Sequence, residues 1–326
     1  MKLSFYGADR CVTGSCHCLE VNGSRILVDC GLQQGRDEVD NRELPFNPAD
    51  IDYVLVTHAH IDHSGRIPLL VKNGFHGTII ASRLTCELMK IMLKDSAHIQ
   101  ESDAAWMNQK GKRAGRTEVE PLYTIEDADR VKDYLKPCEY GEQVSVCEGV
   151  NAVFTDAGHL LGSSSVKLTL TENGVTKSIV FSGDIGNCDQ PIIRDPQYIS
   201  EADYVVMEST YGDREHEKTQ SYTDDLAAVI DETLAKGGNV VIPSFAVGRT
   251  QELLYFIREM KERNLVKSVP NFPVYIDSPL AKEATEVFDG DLRGYLDDDA
   301  MKLVHGGVNM YKFPGLMMTK TSEESK

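Results

Sequence analysis

The sequence predicts an α/β protein in two parts, a strand-rich part over residues 1–209 and a second α/β domain over residues 210–326. Three observations predict it. Apolar strands separated by Asn-Gly turns fill the first part. A histidine-rich loop follows a buried apolar strand within it. From Thr210 onward, short apolar runs alternate with helical patterns, which signals strand–helix–strand units and a parallel sheet.

The chain opens with short strands. Asn22-Gly23 turns it between Cys18-Leu19-Glu20-Val21 and Arg25-Ile26-Leu27-Val28, a strong hairpin signal. Tyr53-Val54-Leu55-Val56 is a continuous apolar strand. Ser64 then fits a helix cap ahead of Ile67, Leu69, Leu70 and Val71, and a long helical pattern covers Leu84 to Met107. Strands return over residues 150–208, where Glu172-Asn173-Gly174 joins Val166–Leu170 to Ser178–Phe181 and Tyr204–Met207 forms a further strand. In the second part a helix starts near Thr223, and the strand Asn239–Pro243 follows Gly237-Gly238. A helix then starts near Arg249, a strand covers Phe272–Ile276, and another helix starts near Pro279. Thr321 and Glu324 have capping-box spacing, which announces one more helix.

With 326 residues the chain is long enough for two domains and a sizeable core. Its 34 Lys and Arg against 51 Asp and Glu leave a formal charge of −17. That balance does not advertise general nucleic-acid binding, but it leaves room for a local basic channel, because net charge says nothing of placement. The first residues lack a signal-peptide layout, and no apolar run is long enough to span a membrane. The eight cysteines show no paired Cys-x-x-Cys spacing and read as small buried side chains in a reducing cytoplasm.

His58-Ala59-His60-Ile61-Asp62-His63 sits just past the Tyr53–Val56 strand. Neutral imidazoles and carboxylates suit zinc and similar divalent ions. Four such groups in six residues cannot all be buried without partners. In an extended loop His58 and His60 point the same way, while Asp62 and His63 turn toward a second position. One segment cannot close two sites, so further ligands are expected at other strand ends. Asp156-Ala157-Gly158-His159 follows Val153-Phe154, and Ser182-Gly183-Asp184 follows Ile179-Val180-Phe181. Each sets a ligand type beside a glycine, which lets the backbone approach an ion closely. His159 or Asp184 alone carries little weight; the shared strand-end context gives them theirs.

The His-x-His-x-Asp-His run, Gly158-His159, Gly183-Asp184 and the upstream Val28-Asp29-Cys30-Gly31 together resemble the metallo-β-lactamase superfamily. Met207-Glu208-Ser209-Thr210-Tyr211-Gly212, the Pro243–Leu254 segment and Asp277-Ser278-Pro279-Leu280-Ala281 resemble its β-CASP nuclease subfamily. The resemblance implies an αββα sandwich, incomplete in this chain, with an inserted α/β β-CASP domain. It implies two zinc ions, one held by His58, His60 and His159, the other by Asp62 and His63, with Asp184 bridging. Asp62 and Asp184 would hold and orient the attacking hydroxide, and Glu208 would stand near the leaving group. Asp29 would orient the ligands from behind, although spacing alone equally allows a turn carboxylate. Ser244 and Arg249 bracket a helix start, a natural place for a phosphate oxygen, and equally a cap with a first-turn cation.

The family pattern continues past Lys326 with two histidine motifs and the closing strands of the sandwich. The remaining histidines, His17, His76, His98, His216 and His305, lack that context. The expectation is therefore a C-terminally incomplete member with apolar surface exposed, a second zinc short of one ligand, and weak cleavage. The expected activity is metal-dependent hydrolysis of RNA phosphodiesters. Single-stranded RNA is the expected partner, DNA the alternative, with no membrane and a homodimer as a candidate assembly. Two other readings stay open. One is a thioester or lactone hydrolase of the same fold, against which the segment from Thr210 argues. The other is a non-catalytic nucleic-acid-binding protein, against which the motifs from Asp29 to Asp184 argue.

Overall fold

The computed structural model describes residues 1–35, 41–112, 115, 117–215 and 221–319. The chain divides into two compact units, one of residues 1–188 with 195–210, the other of residues 189–194 with 211–326.

The first unit is built on two sheets. One has six strands in sequential order: β1 (Lys2–Gly7), β2 (Cys16–Val21), β3 (Ser24–Val28), β4 (Tyr53–Val56), β5 (Thr78–Ser82) and β6 (Leu135–Cys138). Its first three strands are antiparallel and β3 to β6 run parallel. The second sheet has five strands, β7 (Gln143–Cys147), β8 (Val150–Asp156), β9 (Ser164–Glu172), β10 (Val175–Phe181) and β11 (Tyr204–Val206), with β11 parallel to β10 at one edge. Both Asn-Gly hairpins form. Asn22 and Gly23 have φ 47° and 81°, and Asn173 and Gly174 have 52° and 76°, the left-handed pair that matches strand twist.

The sheets pack face to face. Leu19, Ile26, Val28, Leu55 and Ile80 from the first meet Phe154, Val166, Leu168, Ile179 and Phe181 from the second in one buried cluster. Among its described residues this unit has four α-helices: α1 (Ile61–Ser64), α2 (Ile67–Lys72), α3 (Arg83–Lys112) and α4 (Ile125–Arg130). Helix α3 packs on β5 and β6. That explains why β5 is buried on both faces and reads as a continuous apolar run. Strand β8 instead alternates buried with half-buried residues, so the outer face of the second sheet carries no helical layer among the described residues of this unit.

Ser64 does not cap a helix. It is the last residue of α1, and its hydroxyl turns back to donate to the carbonyls of Ala59 and His60, both at 3.0 Å. Arg66 stands at the start of α2, without a capping side chain.

In the second unit, α5 (Tyr222–Ala235) and α6 (Arg249–Glu262) pack through Ala227, Ile230, Ile257 and Met260. Strand β12 (Val274–Ile276) pairs in parallel with β13 (Leu316–Met318), and α7 (Pro279–Phe288) and α8 (Asp298–His305) complete the unit. The expected strand at Phe272 starts two residues later, because Phe272 N–H donates to Val269 O and Pro273 has no N–H. Asn239–Pro243 is not a strand, although its composition predicted one. A strand exists through its ladder, and this run joins none; it lines a cleft of about 710 Å³ with β12. Val241 is 86% exposed as a result. The capping box at Thr321 and Glu324 lies outside the described residues. Among the described residues no helix is long and apolar enough to cross a membrane, and all eight cysteines are free thiols.

Candidate metal centre

Five strands of the first unit deliver the site from their C-terminal ends. Strand β3 leads into Asp29, β4 into Thr57 and His58, β8 into the loop of His159, β10 into Asp184, and β11 into Glu208. The registers explain the convergence. Val28 lies opposite Leu55, so Asp29 falls beside the end of β4, and Phe181 lies opposite Val206, so Glu208 falls beside Asp184.

His58, His60, His159 and Asp184 each bring one ligand atom into a group whose members all lie within 4.8 Å of one another. His60 Nδ1 is 3.0 Å from His58 Nε2 and 3.2 Å from His159 Nε2. Asp184 Oδ2 is 3.5 Å from His159 Nε2 and 3.7 Å from His58 Nε2. A tetrahedral ion with ligands at about 2.1 Å spaces them about 3.4 Å apart. Three ring nitrogens and a carboxylate oxygen converging at this spacing are the donor set that a divalent ion such as zinc takes, so the group fits a metal.

The protonation states suit that role. Burial, with the neighbouring histidines, holds His58 well below its usual range. Burial and His159 push His60 down to about 3, and burial lowers His159. All three therefore offer lone pairs at neutral pH.

A second group lies beside the first. His63 Nε2 is 3.2 Å from Asp184 Oδ1 and 3.8 Å from Asp62 Oδ2. The two oxygens of Asp184 thus face different histidine groups. Burial opposes protonation of His63, but the Asp29 and Asp184 carboxylates outweigh it and raise His63 well above its usual range. Burial raises Asp62. Burial also acts to raise Asp184, but the hydrogen bond and charge of His63 outweigh it, and the net direction is down.

Behind these groups Asp29 is 1% exposed. Its backbone is left-handed at φ 61°, a conformation that Asp and Asn tolerate. Oδ1 accepts from Thr57 N at 2.8 Å, and Oδ2 accepts from Thr57 Oγ1 at 2.9 Å and pairs with His63 Nδ1 at 2.8 Å. Since Thr57 Oγ1 gives its proton to Asp29, it accepts from His58 Nδ1 at 3.1 Å. That fixes the His58 tautomer and leaves Nε2 bare toward the ligand group. Sequence reasoning missed Thr57, whose only signal was its place just before His58.

The remaining scaffold is backbone. A Cβ on Gly31 would lie 1.6 Å from the Asp62 carbonyl oxygen, so only glycine lets β3 approach α1 this closely. Ser82 and Thr85 hydroxyls donate to Gly162 O at 2.6 and 2.7 Å, and Ser163 Oγ accepts from His159 N at 3.1 Å. Together they fix the His159 loop to the start of α3. Glu208 Oε1 accepts from Ile185 N at 2.7 Å, tying β11 to the Asp184 loop. Glu208, Asp184, His63, Asp29 and His17 all line one cleft of about 520 Å³.

Ser244 and Arg249 belong to the second unit, whereas the ligand constellation is built within the first. Gly248, at φ 85°, stands at the cap position of α6 rather than Ser244, whose hydroxyl pairs with Thr250 Oγ1 at 2.8 Å. Arg249 is the first residue of α6 and donates to Glu252 at 2.6 Å.

The fold and this constellation define a metallohydrolase-type centre at the ends of a two-sheet sandwich. The metallo-β-lactamase superfamily model matches residues 9–198, and a Beta-Casp domain model matches residues 250–326. The chain is 35% identical over 327 aligned positions to Ribonuclease TTHA0252 of Thermus thermophilus, covering 100% of this chain and 69% of that protein. It is 29% identical to the transcription termination factor FttA of Methanocaldococcus jannaschii, covering 95% of this chain and 47% of that one. It is 28% identical to cleavage and polyadenylation specificity factor 73 of Drosophila melanogaster, covering 88% and 40%. The chain belongs to the metallo-β-lactamase superfamily, in its β-CASP ribonuclease branch. It spans 69% of the first relative's length and less than half of the other two.

Proposed function

We propose that this chain carries a zinc-dependent phosphodiesterase centre that cleaves single-stranded RNA. The observation that carries the reading is Asp184, whose Oδ2 lies 3.5 Å from His159 Nε2 while its Oδ1 lies 3.2 Å from His63 Nε2. A carboxylate so placed suits a bridge between two ions. His58, His60 and His159 would hold one ion, and Asp62 and His63 the other. When bound, such a pair supplies a hydroxide at neutral pH and positive charge for the phosphoryl oxygens.

The chain's own residues do the rest. Asp29 and Thr57 hold His63 and His58 with their ligand nitrogens facing the centre. Asp62 and Asp184 offer carboxylate oxygens that would hold and orient the attacking oxygen. Glu208 keeps the Asp184 loop in place through Ile185 N–H, and its position in the cleft suits a group near the leaving oxygen. His58, His60, His159 and Asp184 form a tight donor group, whereas Asp62 and His63 do not complete a second one among the described residues. The first ion should therefore bind more tightly than the second.

RNA is the substrate that the ribonuclease relative's name supports. The match over residues 250–326 counts against a thioester or lactone hydrolase. Free cysteines agree with a reducing compartment, and we place the protein in the cytoplasm on that ground. The test is single-turnover cleavage of end-labelled RNA by the zinc-loaded protein, beside DNA of the same sequence and a small thioester. Metal-dependent RNA cleavage that is lost in Asp184→Asn supports the reading. Thioester turnover with intact RNA overturns it.

A further inference from the structure

We propose that the C-terminal end of α3 is a second contact for the RNA strand, with Trp106 stacking on a base and Lys110 and Lys112 taking phosphates. This rests on the ribonuclease reading of the metal centre and names where the distal part of its substrate lies.

The chain has a single tryptophan, and its placement is unusual. Trp106 is 56% exposed on the outward side of α3, beside exposed Met107. An indole left out of the core on an outward helix face asks for a partner. Lys110 Nζ lies 3.5 Å from the ring centroid, so an aromatic surface and an ammonium form one unit facing solvent.

The local charge runs against the rest of the molecule. The protein carries −17 overall, yet residues 104–117 contain four cations and no acid. Asp103 and Glu118 bound this stretch. Asn108 fixes its geometry, donating to Val119 O at 2.9 Å and accepting from Val119 N at 2.7 Å. Val119 is thereby held beside the turn of α3 that carries Trp106. An aromatic ring beside clustered cations is the composition that holds single-stranded nucleic acid, through stacking and phosphate pairing.

Helix α3 also gives the distance. Its N-terminal turn is joined to the His159 loop through Thr85 and Gly162. Trp106 lies 21 residues further along the helix, about 32 Å at about 1.5 Å per residue. A stacked strand advancing about 3.4 Å per nucleotide needs roughly nine nucleotides to reach from one to the other. Binding at Trp106 should therefore depend on strand length.

The single tryptophan makes the test direct. 2′-O-methyl oligonucleotides of four and sixteen residues, checked for intact length after each titration, are titrated into the zinc-loaded protein, with heparin as a polyanion that has no bases. The 16-mer is expected to quench Trp106 fluorescence and the 4-mer to leave it unchanged at equal nucleotide concentration. Trp106→Ala, followed by anisotropy of a labelled 16-mer, should weaken binding about fivefold or more. Lys110→Gln with Lys112→Gln should flatten the salt dependence of log Kd by about 1.4, two phosphate contacts at about 0.7 each. The proposal is overturned if the 16-mer binds without quenching, if both lengths quench alike, or if heparin quenches as well as the 16-mer. Cleavage by the unmodified protein reports separately on the metal-centre reading, so the two fail in distinguishable ways.

Discussion

Replacing Asp29 with asparagine removes the charge on which His63 depends. In the native protein the buried carboxylate pairs with His63 Nδ1 at 2.8 Å and accepts from Thr57 N and Oγ1 at 2.8 and 2.9 Å. An amide oxygen accepts one or two of these bonds without charge, and the NH₂ group then faces a donor. Hydrogen bonds to a charged partner contribute about 1.5–3 kcal/mol. At about 1.4 kcal/mol per tenfold, that is a loss of about ten- to a hundredfold in affinity for the ion held by His63. His58 reaches Asp29 only through Thr57 Oγ1, at 3.1 Å, so the ion held by His58, His60 and His159 should be affected several-fold less. Zinc competition against a chromogenic chelator, read as two stepwise constants, measures both. Equal weakening of the two steps, or no change in either, would refute the assignment of Asp29 to His63.

Three further outcomes are expected. Asp184→Asn should lower RNA cleavage by at least about a hundredfold and reduce bound zinc below two equivalents, measured by single-turnover kinetics and metal analysis. The metal-free protein should lose stability as pH falls from about 6.5 toward 3, because burial depresses His60 to about 3 and also lowers His58 and His159. The unfolded chain binds those protons and the folded chain does not, so stability is present above the unfolded value and is lost on acidification; melts in chelator across that window check the sign. Gly31→Ala should cost several kcal/mol of stability and displace α1, since its Cβ would meet the Asp62 carbonyl oxygen at 1.6 Å; a lowered melting temperature with loss of the weaker zinc is the readout.

Much of the fold was legible because it rests on local rules. Asn22-Gly23 and Asn173-Gly174 are turns in any context, since their left-handed pair demands those residues. His58, His60, Asp62 and His63 were visible as a cluster because they are contiguous, and His159 and Asp184 because each follows an apolar strand. The hydroxyl network was not legible. Thr57 donates to Asp29, a partner that only the folded chain brings to it, and Ser64 read as a cap although its hydroxyl donates back to Ala59 and His60 in the preceding turn. Asp29 has a left-handed backbone and pairs with His63, a partner that its place after a strand did not specify. Asn239–Pro243 shows the converse limit: composition suits a strand, but a strand needs a hydrogen-bonded neighbour, and this run joins no ladder although β12 pairs on one edge only.

The most direct measurement is anomalous scattering from crystals of the zinc-loaded protein. Two zinc peaks about 3.5–4 Å apart, with Asp184 between them, His58, His60 and His159 on one and Asp62 and His63 on the other, are the predicted result. A single peak that Asp184 does not touch, or peaks away from His58 and His63, would contradict the two-ion centre.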